Sequence, residues 1–324
     1  MEISRVQTFL SEDWKAVQDL FKGALHSDAS LMNETNTYLV SNEGKMLRPL
    51  LSLLVSRACG NVTEESIRVA AASELLHNAT LLHDDVLDQS SSRRGAPTVM
   101  SLLGSKASVL AGDFWLVKAV ETILGCRRRS KALLGMFSLT VRDLVEGEMF
   151  QMEKAESADT TGKDYLDIIY LKTASLFETV CSAAALTSGA SRGIGRAVAE
   201  YGKNLGMAFQ IKDDILDYDG ASLGKPVGTD LREGKITLPL LESLDRVETG
   251  EQAEIRQLVR EIPRQDSNVA KVAAFVKSHN GTTLAAAKLQ EYVQKAKESL
   301  KPLEDSQAKD WLVKLADYCA YRTL

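Results

Sequence analysis

Only six prolines interrupt the 324 residues. Pro97, Pro226, Pro239, Pro263 and Pro302 lie mostly at the edges of apolar segments, and Pro49 falls near a helix start, where a missing amide hydrogen matters least. Long helices are therefore open to this chain. Its four cysteines, Cys59, Cys126, Cys181 and Cys319, are far apart and show no paired spacing, which suggests neither a zinc site nor a disulfide framework. A basic excess is also missing: the net charge is −5 and the pI is about 5.6. The single basic run, Arg127-Arg128-Arg129, reads as a solvated helix end, so no nucleic-acid partner is expected. The opening MEISRVQTFLSEDWK contains no apolar leader and carries Glu2, Glu12 and Asp13. The least polar stretch, Thr173 to Ser191, is broken by Glu178 and reads as a buried helix. A cytoplasmic protein is the expectation.

What the chain does have is helical period. Apolar residues recur at three- and four-residue intervals over 47–59, 64–88, 103–125, 130–153, 164–188 and 195–218, and again from about 237 onward. Strand and helix do not alternate, and no linker divides the chain. With 44% hydrophobic and 26% charged residues, the composition is that of a globular protein with a sizeable core. The spacing predicts one all-α domain over 1–324. A Gly-rich loop, DYDGASLGKPVGTDLREGK at 217–235, is the clearest unstructured stretch, and loops of this length are often functional.

Two short segments carry chemistry. LLHDDVLD contains Asp84, Asp85 and Asp88, and QIKDDILD repeats the spacing far downstream with Asp213, Asp214 and Asp217. Residues four apart on a helix share a face, so two such helices facing each other would line a cavity with carboxylates. Mg²⁺ fits such a donor set, because it takes a few carboxylates and completes its octahedron with water and phosphate oxygens. Basic residues accompany both segments: Arg93 and Arg94 after the first, Lys225 and Lys235 after the second, with Lys172, Lys45 and Arg48 elsewhere. Arg and Lys suit phosphate. Together they suggest a site for two anionic groups.

A glycine turn, TSGASRGIGRA, has Gly189, Gly193 and Gly195 spaced as in a short-chain dehydrogenase, but no early strand precedes it. Tyr201 and Tyr292 are followed four residues on by Leu205 and Ala296, not the required lysine. It reads as a helix–helix connection. The DYDG segment fails as a calcium loop, since Ile215 and Pro226 would occupy its first and last ligand positions.

The chain resembles the trans-isoprenyl diphosphate synthases. GKMLRP, ELLHNATLLHDDVLD, RRGAPT, AGDFW, EGEMFQM, LKTASLF, GMAFQIKDDILDY and GKPVGTDLREGKITLP occur in that family's order over essentially the whole length. The resemblance implies an antiparallel helical bundle around a deep central cavity. It implies a prenyltransferase that condenses isopentenyl diphosphate onto an allylic diphosphate of farnesyl or geranylgeranyl type by ionisation, condensation and elimination. Asp84, Asp85, Asp88, Asp213, Asp214 and Asp217 would ligate Mg²⁺, three ions per active site with substrate bound. Arg93, Lys172, Lys225 and Lys235 would hold the allylic diphosphate, and Thr173 and Gln210 would offer lone pairs to the carbocation. Gly44, Lys45, Arg48, His77 and Arg94 match the isopentenyl diphosphate pocket, although Met46 stands where the family usually has Arg or Lys.

Ala79 and Thr80, five and four residues before Asp84, match positions where short-chain members carry bulky aromatics. Both are small here. This implies an open tunnel and a long all-trans product, hexaprenyl to decaprenyl with octaprenyl central, of the kind used for quinone side chains. Phe114 and Trp115 are candidates for the tunnel floor. A homodimer and transient membrane contact for product release are further expectations. A shorter-chain synthase is the nearest alternative. A class I terpene cyclase is more distant, because its second metal motif normally mixes Asn, Ser or Thr with Glu.

Overall fold

The computed structural model describes residues 3–219 and 228–322. It is helical nearly throughout. The helices, in chain order, are α1 (Ile3–Ala24), α2 (Ser30–Ser41), α3 (Leu47–Cys59), α4 (Glu64–Leu87), α5 (Val99–Leu103), α6 (Ser105–Leu124), α7 (Ser130–Ser157), α8 (Gly162–Ile169), α9 (Ser175–Thr187) and α10 (Arg192–Asp219). Then come α11 (Thr229–Arg232), α12 (Leu238–Leu244), α13 (Thr249–Glu261), α14 (Ser267–Ser278), α15 (Gly281–Ser299) and α16 (Gln307–Tyr321). The contacts divide the chain into two compact units: 1–138, 179–199 and 302–312 in one, 139–178, 200–301 and 313–324 in the other.

In the first unit α4 packs against α1, α3 and α6. Every residue from Val69 to Leu76 on α4 is buried, so this helix has no solvated face along that length and needs none. Its N-terminus is fixed by a capping box: the Ser66 amide donates to Thr63 Oγ1 (3.1 Å) and the Thr63 amide to Ser66 Oγ (3.2 Å). Glu64 and Glu65 in the first turn complement the positive end of the helix dipole. After α4 the chain makes a two-residue-per-strand hairpin, β1 (Ser92–Arg93) with β2 (Ala96–Pro97), which helical period alone does not reveal. Its turn, Arg94-Gly95, has φ of 54° and 79°, the pairing a tight hairpin demands.

In the second unit α12 packs against α14 and α15. The α12–α15 approach is so close that a Cβ on Gly281 would lie 2.1 Å from the Pro239 carbonyl oxygen. Arg256 of α13 donates to the carbonyls of Ala158 (2.9 Å) and Thr160 (3.0 Å), anchoring the loop before α8.

Three expectations change. The helix expected over 164–188 begins at Gly162 and is interrupted by a π-turn, Tyr170–Ala174. The loop expected over 217–235 is shorter, because α10 runs to Asp219 and α11 occupies Thr229–Arg232; Lys225 lies outside the described residues. The arginine run forms the α6–α7 turn, and Arg129 is not simply solvated but faces Glu65 at 3.6 Å. The stretch Gly162–Thr187 is long and apolar enough to cross a membrane by composition, yet 61% of its apolar window is buried, as the core reading expected.

Candidate active site

Both aspartate clusters terminate long helices. Asp84 and Asp85 fall in the last turn of α4 with Asp88 as its C-cap, and Asp213, Asp214 and Asp217 fill the last two turns of α10. Carboxylates at a helix C-terminus oppose the dipole, typically at 0.3–1 kcal/mol each. A fold built only for stability would not place six of them there. The negative helix ends and the carboxylates add, which makes each cluster a sink for cations.

In the first unit, Asp85 is buried at 4% exposure and accepts from Arg93 Nε at 2.8 Å. Burial raises its carboxyl, and Arg93 partly offsets the rise. Asp84 is half-buried and Asp88 exposed. The hairpin brings Arg94 next to Gly44: a Cβ there would lie 2.5 Å from the Arg94 guanidinium carbon. Glycine at 44 thus makes room for the guanidinium, while Arg94 itself holds a left-handed backbone that costs about 1–2 kcal/mol. His77 is pushed well below the ordinary imidazole range by burial and then by Arg48, Arg94 and Arg93. It stands as a neutral imidazole among arginines, able to donate one hydrogen bond to an anion without adding charge. Glu74, buried at 2%, lies in the field of Arg48 and Arg94 and is raised chiefly by burial. Lys45 is exposed and Arg48 buried. Met46 is also buried, at 3%, so its apolar chain belongs to the core.

A cavity of about 50 Å³ in this unit is lined by Asn78, Leu81, Asp85, Arg93 and Arg94 among others. Ala79 is enclosed at 1% exposure. Thr80 is half-buried, and its hydroxyl donates to the His77 carbonyl at 2.8 Å. Trp115 is buried, donates to Asn36 Oδ1 (2.8 Å) and meets Phe21 edge-on at 5.5 Å, while Phe114 lies half-buried with Lys118 5.2 Å from its ring centre.

The second unit holds a cavity of about 120 Å³ lined by Lys172, Gln210, Asp214, Asp230 and Lys235, with Tyr165 and Thr237. Asp214 is buried at 2%. Its two oxygens accept from Tyr165 Oη (2.6 Å) and Gln210 Nε2 (2.9 Å), and Gln210 Oε1 accepts from Thr173 Oγ1 (2.7 Å). Burial pushes the Asp214 carboxyl up to about 7, with Asp213 and Asp217 adding like charge. Asp217 accepts from the amides of Thr229 (3.0 Å) and Asp230 (3.2 Å) and so tethers the start of α11. Asp213 pairs with Arg322 (2.5 Å), whose guanidinium also lies over the Phe209 ring. Lys172 is ion-paired with Glu148, and Lys235 with Glu233.

Lys172 and Thr173 sit within the π-turn, a local widening common at functional sites. Two glycines let neighbouring helices approach it. A Cβ on Gly147 of α7 would meet Leu171 Cβ at 2.7 Å, and one on Gly206 of α10 would meet Ala174 Cα at 2.5 Å. Sequence reasoning missed Tyr165, Glu148, Asp230, Glu233 and Arg322. Asp230 lies in the GTD of the Gly-rich loop, and its carboxyl is pushed well up by burial and then by Asp214 and Asp217. Its proximity to a second acidic motif was the one available signal.

All six aspartates offer only oxygen, the donor type of a hard cation, and burial raises the carboxyls of Asp85, Asp214 and Asp217 above their ordinary range. Among the described residues no three acidic or metal-binding side chains form a ready-made cage.

Relatives agree in class. The polyprenyl synthetase family model matches residues 29–276. An octaprenyl diphosphate synthase from Haemophilus influenzae is 35% identical over 98% of this chain and 96% of its own. A short chain isoprenyl diphosphate synthase from Methanothermobacter thermautotrophicus is 36% identical over 88% of each. Among solved structures, a polyprenyl synthase from Caulobacter crescentus, complexed with calcium and isoprenyl diphosphate, superposes with a TM-score of 0.91 at 32% identity, covering 99% of this chain and 98% of that one. On the match to the family model and the near full-length identity to its members, this all-helical chain belongs to the polyprenyl synthetase family.

Proposed function

We propose that this prenyltransferase makes a long all-trans polyprenyl diphosphate, octaprenyl as the central expectation, by adding isopentenyl units to a farnesyl- or geranylgeranyl-type primer. The observation that carries this reading is the small pair Ala79-Thr80 on the helix that ends in Asp84, in a chain whose near full-length relatives include octaprenyl diphosphate synthases. Quinone side chains are the proposed use of the product, and the cytoplasm its place of synthesis.

Both aspartate clusters act on the allylic diphosphate. When bound, Mg²⁺, proposed at three ions per site, would neutralise the charge that grows on the leaving diphosphate. The residues of the chain do the rest. Arg93, Lys172 and Lys235, stored on Asp85, Glu148 and Glu233, exchange these carboxylates for phosphate oxygens; Lys225 is assigned the same role by resemblance. At an effective dielectric near 20, one charge pair at ~4 Å is worth about 4 kcal/mol, so several such contacts lower an ionisation barrier substantially. Thr173 donates its proton to Gln210, which leaves its oxygen lone pairs free to face a carbocation without becoming a nucleophile. Gly44, Lys45, Arg48, His77 and Arg94 hold the isopentenyl diphosphate. The proton lost in the last step goes to the departed diphosphate.

A homodimer is also proposed. α6 exposes Leu110 (63%) and Val117 (54%) at seven-residue spacing, an apolar stripe suited to a second copy of the same helix.

The test is direct. Purified protein, Mg²⁺, labelled isopentenyl diphosphate and farnesyl diphosphate are incubated, and the extracted alcohols are sized. Products in the hexaprenyl to decaprenyl range support the reading; products stopping at farnesyl or geranylgeranyl length establish a shorter-chain synthase. In the same assay Ala79→Phe shortens the product while preserving the first condensation. An unchanged distribution places the tunnel elsewhere.

A further inference from the structure

Two features prominent in the sequence take no part in the site: the run Arg127-Arg128-Arg129 and the glycine turn around Arg192 and Arg196. In the first unit they come to the same end. The Arg128 amide donates to Glu65 Oε1 in the first turn of α4 (2.7 Å). Arg129 lies 3.6 Å from Glu65 and donates to the Thr187 carbonyl at the end of α9 (3.3 Å). Thr187 Oγ1 is in turn 3.0 Å from Ser66 Oγ. The α6–α7 turn, the start of α4 and the α9–α10 connection are thus tied together.

Charge at this end is one-sided. Glu65 is taken by Arg129 and Glu64 by Arg68 at 3.0 Å. Arg127, Arg128, Lys131, Arg192 and Arg196 remain, all exposed, and no acidic side chain among the described residues is paired with any of them. Beside them Leu124, the last residue of α6, is 55% exposed. The chain as a whole carries −5, so five unmatched cations in one place do not follow from composition. This end lies about 30 Å along α4 from Asp84, at 1.5 Å per residue.

We infer that this basic end of the first unit docks on an anionic lipid bilayer. Juxtaposed lysines and arginines attract acidic headgroups, and a lone leucine among them can enter the acyl boundary. Nucleic acid is a poorer fit, because no aromatic side chain stands among these cations to stack on bases. A lipid-bound product supplies the purpose, and that clause rests on the proposed function; the surface itself does not.

Flotation of the full chain with vesicles tests it separately from turnover. Partition is measured on phosphatidylcholine vesicles and on an equal mixture of phosphatidylcholine and phosphatidylglycerol, at low and high salt. The expected result is binding to the mixed vesicles only, weakened by salt. Arg127→Gln with Arg192→Gln, and independently Arg128→Gln with Arg196→Gln, should each lower partition roughly 25-fold, about fivefold per cation removed. Neutralising exposed Lys277 and Lys301 in the second unit should change nothing, and condensation of soluble short substrates should stay at the parent rate in every variant. Equal binding to neutral vesicles, unchanged partition in both double variants, an equal loss in the Lys277 and Lys301 control, or displacement from vesicles by an equal charge of duplex DNA would each overturn the inference. Vesicle binding without any prenyl transfer would instead refute the proposed function and leave this surface standing.

Discussion

The two aspartate motifs have the same spacing and opposite surroundings. Asp85 meets a guanidinium at 2.8 Å, and its neighbour Asp88 is open to water. Asp214 meets only neutral donors, Tyr165 and Gln210, and lies among Asp213, Asp217 and Asp230. The middle carboxylate of the first cluster carries its own counter-charge; that of the second has none of its own, and the nearest cation, Arg322, is taken by Asp213. Identical letters therefore encode a half whose middle carboxylate faces a cation and a half whose middle carboxylate has only neutral donors, and each should respond differently when its charge is removed.

The largest expected effect is on turnover, where both halves matter equally. Asp85→Asn and Asp214→Asn should each lower kcat by about 10²–10³-fold, the usual loss for one electrostatic contact to a developing charge. Stability separates them. Without Mg²⁺ at pH 8, Asp214→Asn removes a buried, uncompensated charge while an asparagine can still accept from Gln210 and donate to Tyr165, so its thermal midpoint should rise. At Asp85 the Arg93 guanidinium already offsets much of the same burial cost, so Asp85→Asn should raise the midpoint less or lower it. Midpoint shifts of equal size and sign would erase the distinction.

Acidity sharpens it further. Asp214 is raised to about 7, so the stability it contributes is fully present below the unfolded carboxyl range and is lost as pH rises through about 7. A magnesium ion held here would require the ionised form and would have to displace that proton at lower pH. The thermal shift produced by Mg²⁺ should therefore be small at pH 5 and large at pH 8, and the gradient should vanish in Asp214→Asn but persist in Asp85→Asn. Differential scanning fluorimetry across pH reads this directly.

A smaller effect concerns the support of Asp214. Tyr165→Phe removes a 2.6 Å hydrogen bond to it, worth roughly 1.5–3 kcal/mol for a charged acceptor. Because Asp214 orients Gln210 and Gln210 orients Thr173, kcat should fall while the KM for isopentenyl diphosphate stays constant. A change in that KM alone would mean the tyrosine acts through general packing.

Much of this was legible in the sequence, and the limits have physical causes. Helices whose apolar period is regular, such as α3, α4 and α6, emerged close to their observed bounds, and both motifs fell at helix ends as their position after apolar runs implied. The π-turn was not legible, because the extra residue it inserts leaves the apolar pattern of α8 and α9 nearly unbroken; only the facing glycines, Gly147 and Gly206, betray it, and they lie on other helices. Glu148, Glu233 and Arg322 were missed for a related reason. Their roles depend on which cation or carboxylate stands opposite, and a salt bridge leaves no period in a sequence. Burial also escaped: the spacing of DDILD matches that of DDVLD, yet burial, with the like charges of Asp213 and Asp217, raises the middle carboxylate of α10 to about 7.

By the family resemblance, both clusters are proposed to serve one ligand. This central claim is tested most directly by equilibrium binding of a non-ionisable allylic thiodiphosphate, with and without Mg²⁺, to the parent, Asp84→Asn, Asp213→Asn and the double variant. If one metal-held diphosphate engages both, either substitution removes most of the magnesium-dependent affinity and the second adds little, a coupling of about 0.5–3 kcal/mol. Losses that simply multiply, or magnesium-dependent binding that survives in full without one of the clusters, would contradict it.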